Sequence, residues 1–156
     1  SVNAHFGRTV YTLDIFGQVD AGYKERFSEL KKSFPSYISY GGTIEANKSV
    51  EILKSYFALL FPTYYKGEGF AGTLIDAMSA GVPVIASDWK YNPEFVVPGK
   101  TGVIIKNCNA ERLAEELINI AAAPEKWNSM RLSALKESEK YKPDIAARPL
   151  IDRING

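Results

Sequence analysis

The sequence predicts a doubly wound α/β domain, a parallel sheet with helices on both faces. Three observations carry that expectation. Short runs rich in β-branched and aromatic residues alternate with polar stretches whose apolar residues recur at helical spacing. One of the runs, FALLFP at 57–62, is apolar at almost every position, as a strand covered on both faces must be. Gly81 and Pro83 then separate a short helical stretch from the strand after it, a residue suited to a left-handed cap followed by one that cannot continue a helix. A chain of 156 residues suits one domain over 1–156, able to bury about two thirds of the surface its unfolded form exposes.

The elements follow in order. TVYTLDIFG, Thr9 to Gly17, is β-branched and aromatic and ends in glycine, which predicts a strand. A polar amphipathic helix is expected over Ala21 to Ser33, with Phe27 and Leu30 on one face. SYISYGG at 36–42 forms a second strand, NKSVEILKSY at 47–56 a second helix and FALLFP a third strand. A glycine-rich elbow leads into a short helix from Thr73 to Ala80. VPVIAS at 82–87 and TGVIIK at 101–106 are the fourth and fifth strands. Asn109 is placed to cap a helix through Ala123 with Leu113, Leu117 and Ile120 in one stripe, and Pro124 opens another that carries Trp127 and Met130 as core residues. Eight residues before Thr9 are too few for a complete parallel crossover unit, so the chain is expected to begin inside a larger fold.

Composition narrows the chemistry. Nineteen basic against eighteen acidic side chains give a net charge of +1, without the basic excess that nucleic-acid or anionic-membrane binding needs. The one cysteine, Cys108, forms no intrachain disulfide and fits a reducing, cytoplasmic compartment. The one histidine, His5, leaves little basis for a nucleophile–histidine pair or a multi-histidine metal site, so neither metal nor cofactor is expected. No apolar run approaches the ~20 residues of a membrane span, and the N-terminus lacks a signal-peptide pattern. Chemistry must rest on carboxylates, hydroxyls, cations and backbone amides.

The elbow KGEGFAGTLID, residues 66–76, follows the third strand at the carboxyl end of the sheet, where open α/β folds bind ligands. Glycines at 67, 69 and 72 let the backbone approach a ligand closely, and the helix start offers unpaired amides to an anion such as phosphate. Glu68 and Asp76 then flank that amide cluster with acceptors for hydroxyls, an arrangement suited to a nucleotide-sugar. A purely structural account also exists. Thr73 and Asp76 match a capping box, and glycines around a glutamate are common in loops.

Residues 61–105 resemble the donor-binding domain of retaining glycosyltransferases of family 4, the group 1 transferases of the GT-B fold. Phe61-Pro62-Thr63, Glu68-Gly69-Phe70-Ala71, Asp76-Ala77-Met78, Gly81 to Ala86, Pro93-Glu94 and Gly99 to Gly102 carry the likeness, in order and in spacing. The resemblance implies a Rossmann-like C-terminal half of a two-domain enzyme that uses a nucleotide-diphosphate sugar to build a polysaccharide or glycoconjugate. Glu68, the catalytic residue, would meet the hydroxyls of the donor sugar and help set the geometry at its anomeric carbon. Backbone amides of Phe70, Ala71, Gly72 and Thr73 would face the sugar–diphosphate, Gly69 would belong to the same donor-binding elbow, and Asp76 would accept the ribose hydroxyls. Thr43 and Ile44 follow a strand end where the nucleobase lies in this fold. The diphosphate itself would take the acceptor proton.

Departures from the family pattern accompany the match. Asp76 stands where glutamate is usual, Ala71 replaces the second elbow glycine, and WKYNPE lacks glycines before Pro-Glu. The family clamps the diphosphate with a Gly-Arg and a later lysine; Gly7-Arg8 matches the first, and nothing ahead of the first strand matches the second. The acceptor-binding N-terminal domain is expected to be the missing partner, and the chain alone to be inactive. Lys66, Lys90 and Lys100 are alternatively phosphate ligands or solvated surface residues, and Trp89 and Tyr91 either stack on a ligand or pack. A nucleotide-sugar epimerase, a glycogen-synthase-like enzyme and a non-catalytic docking module are the rival readings.

Overall fold

In the computed structural model, which describes residues 2–155, the strands are short and parallel, and the chain divides after Lys48 into two compact units. The first unit holds α1 (Val2–His5), β1 (Leu13–Phe16), α2 (Lys24–Lys32) and β2 (Ile38–Gly42). β1 pairs with β2 from Leu13↔Ile38 onward. The strand expected from Thr9 starts only at Leu13, because Asn3 claims the residues before it. Its side-chain oxygen accepts from the Val10 and Tyr11 amides at 2.9 and 3.0 Å, and its amide group donates to the Tyr11 carbonyl.

The second unit runs through α3 (Ser49–Leu53), β3 (Leu59–Phe61), α4 (Gly72–Ser79), β4 (Val84–Ser87), α5 (Asn92–Phe95), β5 (Gly102–Ile105), α6 (Ala110–Ala122), α7 (Pro124–Ser138), α8 (Pro143–Ala146) and α9 (Arg148–Asn155). Its sheet has the order β3-β4-β5, with β4 central. β3 is shorter than the apolar run that predicts it. Trp127 Nε1 donates to the Phe57 carbonyl at 3.0 Å and Arg131 to that of Tyr56, while Pro62 has no N–H for a ladder.

Alternation along the strands builds a core on each face. Val84 and Ala86 pack with Leu74, Ala77, Val82 and Val96, and Ile85 and Ile105 pack with Ile120, Trp127 and Met130. Trp127 and Met130 are therefore core residues, as their spacing predicts, and Asn109 caps α6 by accepting from the Arg112 amide at 2.9 Å. Each fully buried aliphatic side chain, Leu74 among them, contributes about 1.5–3 kcal/mol. α4 ends in a complete left-handed stop. Gly81 lies at φ 67°, its amide donates to Met78 and the Val82 amide to Ala77, so the chain turns directly from helix into the central strand.

One ion-pair group ties α7 to the turn before β5. Glu137, buried in α7, accepts from Lys100 at 3.1 Å and from Lys140. Lys100 is thus engaged structurally. Hydrogen bonds from Lys140 and Lys100 hold the Glu137 carboxyl below its ordinary value of 4.5. A folded-state value below the unfolded one stabilises the fold above pH 4.5, and that stabilisation disappears as pH falls toward the lower folded value. Glu137→Gln is therefore expected to lower the urea midpoint at pH 7, with the gap to wild type closing as the titration is repeated toward pH 3.

Candidate functional site

The elbow between β3 and α4 begins where the sheet ladder stops. Thr63 follows Pro62, and its hydroxyl works in two directions: it accepts from the Tyr65 amide at 3.1 Å and donates to Glu68 Oε2 at 3.1 Å. The Glu68 amide donates to the Tyr65 carbonyl at 3.1 Å, closing the turn. The half-buried Glu68 is thus held through its own amide and one carboxylate oxygen, and Oε1 has no hydrogen-bond partner among the described residues.

After Glu68 the backbone opens. Gly69 and Phe70 are exposed, and the Phe70 ring stands edge-on to Phe95 with centroids 5.1 Å apart. Ala71 is buried in the core cluster and is the residue preceding α4, with no side-chain cap. The amides of Phe70, Ala71, Gly72 and Thr73 donate to no backbone acceptor among the described residues. They leave a local cluster of unpaired donors at the positive end of the helix dipole.

α4 begins at Gly72, and the Leu74 amide already bonds back to Ala71 at 2.9 Å. Thr73 is consequently the second helical residue, so the Thr73–Asp76 capping box does not form. Asp76 sits half-buried in mid-helix, and its carboxylate takes no hydrogen bond or ion pair among the described residues. Both carboxylates of the predicted site and the amides between them thus lie on one strand–elbow–helix segment. The other three predicted residues lie in the first unit: Arg8 is exposed after α1, and Thr43 and Ile44 follow β2.

The end of β4 and the loop that follows it supply partners for the elbow that sequence reading left unassigned. Ser87 Oγ donates to the Thr63 carbonyl, Trp89 Nε1 to the Tyr65 carbonyl at 2.8 Å, and the Lys90 ammonium to the Lys66 carbonyl. Trp89 also packs edge-on against Tyr64, with centroids 5.3 Å apart, so of its two expected roles the packing one is realised. The only advance signal for this contact was a run of polar-tipped side chains at the end of the strand beside FALLFP. Burial pushes the half-buried Cys108 thiol above its ordinary value, so it is a poor nucleophile. No group of three His, Cys, Asp or Glu residues among those described is arranged to hold a metal.

Residues 7–137 match the sequence profile of the family described as Glycosyl transferases group 1. The chain belongs to that family. An uncharacterized glycosyltransferase of Methanocaldococcus jannaschii is 28% identical over 103 residues, which are 64% of this chain and 26% of the relative. Poly(glycerol-phosphate) alpha-glucosyltransferase of Bacillus subtilis is 27% identical over 135 residues, 83% of this chain and 19% of the relative. The group 1 chain described here thus spans about a quarter or less of either relative. The crystal structure of Anabaena HepE in complex with UDP superposes with a TM-score of 0.79 at 15% identity, over 99% of this chain and 43% of that one. The same protein has been crystallised with UDP and glucose. At such identity the likeness is one of fold: parallel α/β, as in GT-B glycosyltransferases.

Proposed function

We propose that this chain binds the nucleotide-diphosphate-sugar donor of a retaining glycosyltransferase of family 4, as the donor domain of an enzyme that builds a polysaccharide or glycoconjugate. The observation that carries the reading is the room left at two elbow glycines. A Cβ added at Gly69 or Gly72 would meet nothing within 4 Å, and neither residue has a positive φ. Neither packing nor backbone conformation therefore demands glycine there. The room leaves the backbone there open to a ligand that comes close.

In this reading the amides from Phe70 to Thr73 face the diphosphate, Glu68 Oε1 accepts hydroxyls of the sugar, and Asp76 accepts those of the ribose. The bond from the anomeric carbon to the diphosphate breaks while the acceptor oxygen bonds to the same face, and the departing diphosphate takes the acceptor's proton. The acceptor is held by an N-terminal domain outside these 156 residues, so this chain binds donor without turning it over. UDP-glucose is the first donor to try, since HepE has been crystallised with UDP and glucose and the Bacillus subtilis relative is named a glucosyltransferase.

Titration calorimetry of UDP-glucose against Gly69→Ala and Gly72→Ala tests the reading. Both variants are expected to melt at or above the wild-type temperature, because alanine costs the unfolded chain entropy and suits a helix start. Their affinity is expected to fall about tenfold, the effect of forcing a methyl group into a close contact. Wild-type affinity in both variants would remove the argument from open room. A wild-type chain that binds neither UDP- nor GDP-sugars at millimolar concentration would remove the proposal.

A further inference from the structure

The pairing of β3 with β4 runs through Leu59↔Val84, Leu60↔Ile85 and Phe61↔Ala86 and ends there. Pro62 cannot extend it. Past that point three side chains take over the role of the missing ladder. Ser87, Trp89 and Lys90 donate to the carbonyls of Thr63, Tyr65 and Lys66, each bond spanning the same 24 residues. The two loops therefore continue side by side in one register, held by side chains instead of amides.

This strap reaches Glu68 through two of its three anchors, and the third, from Lys90, holds the carbonyl of Lys66 two residues before it. The Tyr65 carbonyl that Trp89 holds also receives the Glu68 amide, and Thr63, whose carbonyl Ser87 holds, donates its hydroxyl to Glu68 Oε2. Lys90 makes its bond from a left-handed backbone conformation, φ 46°, which is unfavourable for a residue with a Cβ. Strain of this kind persists only where the surroundings enforce it, and it concentrates at functional sites.

We propose that Trp89 and Lys90 are positioning residues for Glu68: they hold the elbow so that Oε1 faces the donor sugar in one orientation. The proposal rests on Glu68 being the sugar acceptor. It assigns a task to the stretch where this sequence departs from the family's glycines, and it makes the backbone strain at Lys90 part of that task.

The test uses the 156-residue chain and two measurements. Trp89→Phe keeps the ring and removes the donor, Lys90→Gly removes both donor and strain, and Lys90→Arg keeps a donor. Amide exchange at Glu68 is expected to quicken about fivefold in the first two, with α6 amides unchanged, and to stay near wild type in Lys90→Arg. UDP-glucose affinity is expected to drop about fivefold in the same two variants while UDP affinity holds. Lys90→Gly is also expected to melt a few degrees higher, so that binding and stability move in opposite directions, which a merely structural lysine would not produce. Wild-type exchange at Glu68 in both variants overturns the proposal. So does faster exchange with unchanged UDP-glucose affinity, provided Glu68→Ala has lost that affinity. If Glu68→Ala binds UDP-glucose like wild type, the sugar-acceptor reading itself has failed, and the positioning role falls with it whatever the exchange rates show.

Discussion

Alanine at Gly102 is expected to cost the second unit a large share of its stability. Gly102 opens β5 directly opposite Val84 of the central strand, and a Cβ there would lie 2.0 Å from the Val84 carbonyl oxygen and 2.8 Å from its carbon and nitrogen. Those atoms are backbone, so no side chain can swing aside. Relief requires β4 and β5 to separate, and β4 carries residues of both core clusters. The cost is about 4 kcal/mol or more, against a total stability of roughly 5–15 kcal/mol for a domain. Gly99→Ala is the matched control. It lies in the same turn at φ 76° with nothing within 4 Å of the added atom, and it should cost only the left-handed preference, about 1–2 kcal/mol. Urea unfolding followed by the fluorescence of buried Trp127 reads both. A Gly102→Ala protein with a midpoint near that of Gly99→Ala would show that the strands can part at little cost.

The second large effect separates the two carboxylates of the elbow. Under the proposed function, Glu68→Ala removes acceptors for sugar hydroxyls, and Asp76→Ala removes acceptors for ribose. A hydrogen bond to a charged group contributes about 1.5–3 kcal/mol, roughly 10- to 150-fold in affinity. Glu68→Ala should therefore weaken UDP-glucose by that factor and leave UDP unchanged, whereas Asp76→Ala should weaken both ligands alike. Calorimetry on the four combinations decides it. Loss of UDP binding in Glu68→Ala would indicate a collapsed elbow in place of a lost sugar contact, and retained UDP binding in Asp76→Ala would take the ribose from Asp76.

Much of the second unit was legible because its residues obey short-range rules. Gly81, Pro83, Asn109 and Pro124 mark where helices stop and start, and each does so here by the expected geometry. Strand lengths were less legible, since they depend on partners distant in sequence. Nothing local to Thr9 shows that Asn3 will take the amides beside it, and nothing near Phe57 shows that Trp127 will take its carbonyl. The elbow divides in the same way. Its carboxylates and amides follow from spacing along one segment, and the capping box fails because the N-cap is Ala71, two residues before the Thr73 that the box needs there. The loop that holds Glu68 arrives from the far side of α4 and β4, and only parallel pairing brings it alongside.

Pro62 decides how freely this elbow can diversify. Had the ladder continued past Phe61, the geometry around Glu68 would be written in backbone amides, the same in every sequence. Because it stops, that geometry is written in three replaceable side chains at 87, 89 and 90, two of them beyond the end of β4. Substitutions at 89 and 90 can retune the elbow while the cores around Leu74 and Trp127 stay as they are, which under the proposed function gives the fold a place to try new donors at small risk to its stability.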